Sequence, residues 1–470
     1  ADFGNYRAEL TAPKEFLVRA TGVEQGAPKD AGGGALLHTF AQDDVHDFVW
    51  TAWDGYAPPL HGSYDGPGSP HVDVEVLYPA EREQSGKDAL GGTVDSLRYF
   101  SETLGPYPYP HVTVVVPPYN ADESGGMEYE TFFTTVGSNG MFAPFVRYVT
   151  VHEFGHGYFM GLLASNEFEE PFLDEGMNEF WDARMLSNES IHMSLPAPLA
   201  FEGVSFPPIH YLDFERLRGT ERFQPDPIAG SSWDRYSRSS YGVVYPRTVM
   251  VFHDLEAQLG SEAFGRGMKL YYQRWHHRHP GTADLREALA EGSGQPELVH
   301  AWFEAQVVKN GPVDDRVVDI DTTEVVPTRG TYLEDGKRTE KTAEDAEKET
   351  AKAREEWKAA HGDAAGPFPF HTEVRVRRYA AHVPQQVVVT FEDGKQETLP
   401  FPVEESWHRY VFDGPQKVKS VQLDPSHSVQ LDLDKLDDGR TREASSKASA
   451  RWSLEVTNLV SLVLSLLVTE

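Results

Sequence analysis

The chain has 470 residues, with 42 Lys and Arg against 74 Asp and Glu, a formal net charge of −32. At about 150 residues per domain, that length suggests roughly three domains; 39% hydrophobic and 12% aromatic residues exclude a disordered acidic polymer, which lacks the surface to build a core. The acidity excludes nucleic acid as an expected partner, because phosphate binding needs a basic footprint, and the absence of cysteine leaves only His, Asp and Glu to hold a metal.

In chain order, Ala1 to Leu10 lacks the apolar core of a secretory signal. FGNYRAELTAP alternates like a strand already inside a sheet, so the start is expected to be an internal cut in a longer precursor. Residues 1–88 are predicted as a partial N-terminal β domain, since HTFAQDDVHDFVW and HVDVEVLYP alternate or cluster aromatic and β-branched residues between turns. From 89 to 312 the period becomes helical, in DALGGTVDSLRYFSETLG, FVRYVTVHEFGHGYFMGLL and RTVMVFHDLEAQLG, which predicts a mostly α domain. Residues 313–437 return to strand-like runs (TEVRVRRYAA, QQVVVTFEDG, KVKSVQLDP) and predict a C-terminal β-sandwich-like domain. A charged, Ala-rich insert at about 338–361 has the Glu/Lys spacing of a solvated helix. The architecture is thus expected to be α+β and multidomain, with 438–470 as a tail. The apolar run Leu459 to Val468, about ten residues, is too short to span a bilayer. Ser461 and Ser465 recur in it at helical spacing and favour an amphipathic docking helix. A membrane segment truncated at Glu470 is the alternative, which leaves membrane association through this segment open. The compartment leans extracytoplasmic or membrane-associated and bacterial, with the cytoplasm not excluded.

The chemistry concentrates in VHEFGHGYF. His152 and His156 are four apart, so on a helix both imidazoles project from one face toward a single ion, and Glu153 is placed to hold a water there. Nineteen residues after His156 comes Glu175, in PFLDEGMNEFWDARML, a second amphipathic helix. Two His and one Glu make a three-ligand zinc site with the fourth position open, the catalytic arrangement. Glu179, one turn further, either accepts the other ring N–H of a ligand His or is a solvated helix carboxylate. Upstream, the two glycines of SGGMEYETFF allow a backbone to approach closely, as a peptide does when it adds to an edge strand. Glu128 is the acid of that stretch.

GGME, HEFGH and LDEG, in this order and spacing, resemble the aminopeptidase N family of gluzincin zinc metallopeptidases, which includes the leukotriene hydrolase. The resemblance covers roughly residues 90–310 and implies a thermolysin-like catalytic domain there, with the family's long helical domain replaced by a β module. It implies one Zn2+ per chain held by His152, His156 and Glu175, with Glu153 as general base. Glu128 would bind the free α-amine of a peptide substrate, beside Gly125, Gly126 and Met127. Two positions depart from the family pattern. Tyr129 replaces an Asn, which bears on how Glu128 is placed, and Asp174 stands where Asn usually precedes the ligand Glu. The family also stabilises the tetrahedral intermediate with a tyrosine ahead of a helix of the type Y-x-K-G. Tyr245, with Arg247 where the Lys stands, fits that role better than Tyr241.

The expected activity is therefore removal of N-terminal residues from peptides. The rival readings are a glycyl-aminopeptidase-like enzyme, a zinc endopeptidase with an open cleft, and, last, a non-catalytic scaffold with a structural metal. The RWHHRHP stretch (His276, His277, His279) reads as a basic helix end rather than a metal site. LDLDKLDDGR fails the acid spacing of a calcium loop. No G-x-S-x-G supports a serine nucleophile.

Overall fold

The alternating stretch at the start of the chain does pair into a sheet. Gly4–Pro13 runs antiparallel to Ala35–Val45, which also pairs Val23–Glu24 and Lys29–Gly32. Leu17–Ala20 pairs with Trp50–Trp53. Ala12, Val18, Ala20 and Phe40 form the small core between these layers. The computed structural model describes residues 2–138, 143–191, 208–220, 226–242, 244–362, 366–444 and 446–467, in two units that part between Gly311 and Pro312.

In the first unit a five-stranded sheet has the order Met127–Tyr129, Phe132–Thr134, His111–Val115, Val72–Leu77, Leu60–Tyr64. Its three central strands are parallel, and the two outer pairings are antiparallel. The expected boundary near residue 88 therefore cuts through one sheet. The physical reason is visible in Val72–Leu77, whose Val72, Val74, Val76 and Leu77 are all buried. A strand buried at five of its six positions sits inside a sheet rather than at its edge, and here it extends the sheet that the later strands build. Of its two acids Asp73 is exposed, while Glu75 is buried against the Arg19 guanidinium.

Helix α1 (Glu83–Thr103) covers this sheet, and α2 (Ala143–His156) packs on α1. α3 (Glu175–Met185) packs on α2 and on α6 (Val244–Leu259), with α4 (Tyr211–Thr220) and the single turn α5 (Arg238–Tyr241) between them in sequence. α7 (Ser261–Trp275), α8 (Thr282–Ser293) and α9 (Pro296–Trp302) complete the helical part. Phe180 and Trp181 of α3, Phe252 of α6 and Phe264 of α7 meet ring to ring, with centroids 5.6–6.4 Å apart. This aromatic core fixes α3, and with it Glu175, relative to α6 and α7.

The second unit has two sheets. One is ordered Asp315–Glu324, Phe370–Arg378, Trp407–Gly414; the other Gln396–Phe401, Gln385–Phe391, Val418–Leu423, Gly439–Thr441. Val317, Val374 and Val376 from the first and Val387, Val389 and Val421 from the second share one buried cluster, the sandwich-like core. Gly439–Thr441 belongs to this sheet, so the module runs past the expected end at 437. The charged insert is part hairpin and part helix. Gly330–Glu334 pairs with Lys337–Lys341, and α10 (Ala343–His361) starts only after Thr342, whose hydroxyl and Asp345 cap each other's backbone N–H. That capping box sets the helix start later than the Glu/Lys spacing alone implied. The last helix, α11, spans Ser446–Leu467 and leaves Trp452, Leu454, Val456 and Val460 exposed. Among the described residues no helix is long and apolar enough to cross a membrane.

Candidate active site

The regular turns of α2 place His152 and His156 one above the other. Their rings stand 4.6 Å apart at 85°, with the two Nε2 atoms 3.1 Å from each other. The first residue of α3 supplies the third donor: Glu175 Oε2 lies 3.6 Å from His152 Nε2 and 3.4 Å from His156 Nε2. Ligands at about 2.0–2.1 Å around a tetrahedral zinc stand about 3.3–3.4 Å from one another, so this triangle fits that ion. The protonation pattern points the same way. Each Nδ1 faces a carboxylate, His152 at Asp182 Oδ2 (2.8 Å) and His156 at Asp174 Oδ1 (2.7 Å). With Nδ1–H donated on both rings, each Nε2 is turned toward the Glu175 carboxylate, so that loss of the Nε2 protons would leave three donors converging on one point where a cation fits.

The groups that hold the rings are not those the sequence singled out. Glu179 Oε2 lies 3.3 Å from His152 Nδ1, further than Asp182, and its other oxygen accepts from Arg218, which also binds Glu215 at 2.8 Å. Glu179 is buried rather than a solvated helix acid. Asp182 and Asp174 had no role in the sequence reading beyond Asp174 being a departure. The signal for Asp182 was there, because Glu175, Glu179 and Asp182 fall at i, i+4 and i+7, one stripe of α3. Tyr148 stacks on His152 at 6.3 Å and 17°. Asn178 donates to the His152 carbonyl at 2.7 Å, so close to α2 that a Cβ on Gly155 would meet its Oδ1 at 1.9 Å. That contact explains the Gly inside HEFGH.

Burial and mutual charge set the titration of the site. Burial pushes the Glu153 carboxyl up to about 7. Its Oε2 is buried without a protein partner. Burial would also raise Glu175, but hydrogen bonding and charge from His152 and His156 hold it at about 2. His156 is desolvated, yet Asp174 raises it to about 10.

Met127–Tyr129 is the edge strand of the five-stranded sheet, and its outer backbone is open for pairing. Gly126 has φ +74°, and a Cβ there would sit 3.5 Å from Glu153 Oε1; a Cβ on Gly125 would meet the Thr135 carbonyl at 2.8 Å. Gly125 has no room for a side chain against the Thr135 backbone, and at Gly126 it is the positive φ that favours glycine, since a Cβ there would make only ordinary contact with Glu153. Period-2 alternation sends Glu128 one way and its neighbours the other. Donor atoms of Glu128, Glu153 and His156 all lie within 4.8 Å of one another, and burial raises the Glu128 carboxyl above its ordinary range. Met127 is 43% exposed. Tyr129 packs against Leu77, Val115 and Phe132, so the Asn-to-Tyr departure lies on the other side of the strand from Glu128.

Tyr245, in the first turn of α6, donates its hydroxyl to Glu175 Oε1, and its ring stands 6.3 Å from that of His152. Burial and the Glu175 charge keep the phenol protonated, well above its ordinary range. Tyr241 lies one ring further out, 6.2 Å from Tyr245. Arg247 is buried and reaches Gln306 Oε1 at 3.3 Å and the Gly311 carbonyl at 3.4 Å. It makes none of the site's contacts. His277 and His279 pack on Phe3 at 4.6 and 5.3 Å, and His276 bonds back to the Tyr272 carbonyl. Two of the acids of LDLDKLDDGR are in ion pairs, Asp438 with Lys435 at 3.2 Å and Asp437 with Arg316.

Residues 89–305 match the peptidase family M1 domain. Over 253 residues the chain is 26% identical to aminopeptidase M1-A of Oryza sativa subsp. japonica, covering 50% of this chain and 27% of that protein. It is 25% identical over 253 residues to aminopeptidase N of Lactococcus lactis subsp. lactis, covering 51% and 29%. The matches thus span less than a third of these curated relatives. The fold is similar to that in the crystal structure of Legionella pneumophila aminopeptidase A in complex with aspartic acid, with a TM-score of 0.59 at 12% identity, over 92% of this chain and 45% of that one.

Proposed function

We propose, on the match of residues 89–305 to the peptidase family M1 domain, that the chain is a zinc-dependent aminopeptidase. His152, His156 and Glu175 would hold one Zn2+, which supplies a Lewis acid for the scissile carbonyl and lowers the pKa of a water toward about 7. Glu153 takes the proton of the attacking water and passes it to the leaving amine. A carboxyl whose pKa is about 7 is matched to both halves of that transfer. Tyr245 O–H donates to the oxygen that becomes negative as the carbonyl turns tetrahedral. Glu128 accepts a hydrogen bond from the substrate's terminal ammonium, and the outer edge of Gly125–Met127 pairs with the peptide backbone.

The observation that carries this reading is the closeness of Glu128 to Glu153 and His156, all within 4.8 Å. An α-ammonium lies about 2.5 Å from the carbonyl carbon of its own residue, from the standard bond lengths and angle. A carboxylate this close to the base leaves room for one residue between the amino terminus and the cut. An endopeptidase needs open space where Glu128 stands, and a structural metal has no use for a buried carboxylate with an unpartnered oxygen beside it. The test is a panel of amino-acid p-nitroanilides and their N-acetyl counterparts, assayed with chelator and after zinc is restored. Cleavage confined to free amines, lost with chelator and regained with zinc, supports the aminopeptidase. Equal cleavage of acetylated substrates moves the endopeptidase ahead. The Glu153→Gln chain should keep its zinc and lose turnover.

A further inference from the structure

Three turns meet at a second group of ligand-type side chains. His46 and Asp47 follow strand Ala35–Val45, Glu130 follows the edge strand Met127–Tyr129, and Met160 lies in the turn that continues α2. The donor atoms of His46, Asp47 and Glu130 all lie within 4.8 Å of one another. His46 Nε2 is 2.6 Å from Glu130 Oε1 and 3.2 Å from the Met160 carbonyl oxygen. The Glu130 side chain is 0% exposed, and both its Oε2 and Asp47 Oδ1 are buried with no protein partner. Among the described residues neither carboxylate pairs with a Lys or Arg. Two carboxylates side by side in a dry site cannot both ionise unless a cation stands between them. Here burial and the neighbouring Glu130 raise the Asp47 carboxyl to about 8, so one proton holds the pair until a cation displaces it.

We propose that His46, Asp47, Glu130 and the Met160 carbonyl oxygen hold a divalent cation, distinct from the ion of the catalytic triangle. Two carboxylates, a carbonyl and one imidazole suit Zn2+ or Mn2+, since imidazole selects against purely oxygen-seeking ions. The ion ties the end of the substrate-binding strand, two residues past Glu128, to the N-terminal β segment and to the turn after the zinc helix. Its role is positional: it holds the strand that presents Glu128, and Asp47 and Glu130 touch no reacting atom.

The test counts metal on the full chain. Wild type stripped with chelator is titrated with Zn2+ by calorimetry, and bound zinc is checked by elemental analysis after dialysis. The same is done for Asp47→Asn, at a half-buried position that tolerates the change, and for a His152→Ala/His156→Ala double variant. Asp47→Asn should bind one equivalent fewer than wild type, and the double variant should keep one equivalent, with a rise in Tm on binding it. An Asp47→Asn chain with the wild-type count overturns the proposal, and so does a folded double variant that binds none. In that case Asp47 and Glu130 share a proton instead. Because the double variant lacks the catalytic ligands, this count is read independently of whether the chain is a peptidase.

Discussion

Asp174 Oδ1 lies 2.7 Å from Nδ1 of His156, while the very next residue, Glu175, brings its Oε2 to 3.4 Å from the Nε2 of the same ring. One turn at the start of α3 thus grips the imidazole from both nitrogens. Asp174 fixes which nitrogen carries the proton, and Glu175 stands beside the one that does not. This relationship gives the departure at Asp174 a purpose, because an ionised acid accepts from Nδ1–H more strongly than an amide does.

Asp174→Ala should therefore weaken zinc binding by about 10- to 100-fold, the usual effect of losing an acceptor behind a ligand His. Asp174→Asn should fall between the variant and wild type. Competition against a chromophoric chelator reads both affinities. Unchanged affinity in Asp174→Ala would remove Asp174 from the metal site.

Tyr245 donates to the Glu175 carboxylate, so its hydroxyl is aimed at the His152, His156 and Glu175 cluster rather than into the core. Tyr245→Phe should lower kcat by about 10² or more with little change in KM, as for loss of one oxyanion donor. Tyr241→Phe should have a small effect, since that ring sits one layer out. Steady-state kinetics on one free-amine substrate separates them, and a reversal would hand the role to Tyr241.

In the proposed binding mode Glu128 meets the substrate's ammonium from a partly buried position. A charge-assisted hydrogen bond there is worth about 1.5–3 kcal/mol. Glu128→Ala should cut kcat/KM for free-amine substrates by about 10- to 150-fold, leave zinc content unchanged, and shrink the preference for free over acetylated termini. An equal loss on both substrate types would make Glu128 a structural residue.

The second unit should respond to pH through its buried acids. Burial raises Asp432 to about 8, Asp315 to about 7 and Asp438 to about 6. Each folded-state value lies above that of the unfolded chain, so the folded state keeps protons that the unfolded state releases. Their contribution is fully present below about pH 4 and is lost as pH rises through 6 to 8. The slope is up to about 1.4 kcal/mol per pH unit for each carboxyl titrating. Thermal melts of the full chain between pH 5 and 9 should show one transition falling with pH, and Asp432→Asn should flatten that dependence. A rise of the same transition with pH would contradict it.

Local spacing by itself was enough to pick out the three side chains His152, His156 and Glu175 that the fold brings together. His152 and His156 at i, i+4, with Glu175 opening the next amphipathic helix, share a face whatever surrounds them, because helical geometry is set by the backbone. The β, helical and β character of the three stretches was legible for the same reason, since the hydrophobic period is a local property. What the sequence did not decide was every choice between neighbours of similar chemistry. Glu179 and Asp182 lie on one stripe, and only the packing of α3 against α2, with Arg218 occupying Glu179, settles that Asp182 takes the shorter contact to His152. Tyr129 looked like a threat to Glu128 until the sheet gave it the Leu77, Val115 and Phe132 surface. The strand at 72–77 joined its sheet through pairing with residues some forty positions later, and His46, Asp47 and Glu130 met across more than eighty residues of chain. Helix faces come from neighbours in sequence, whereas partners across a sheet, a buried carboxylate's counter-charge and the side of a strand that meets a core exist only once distant segments are brought together.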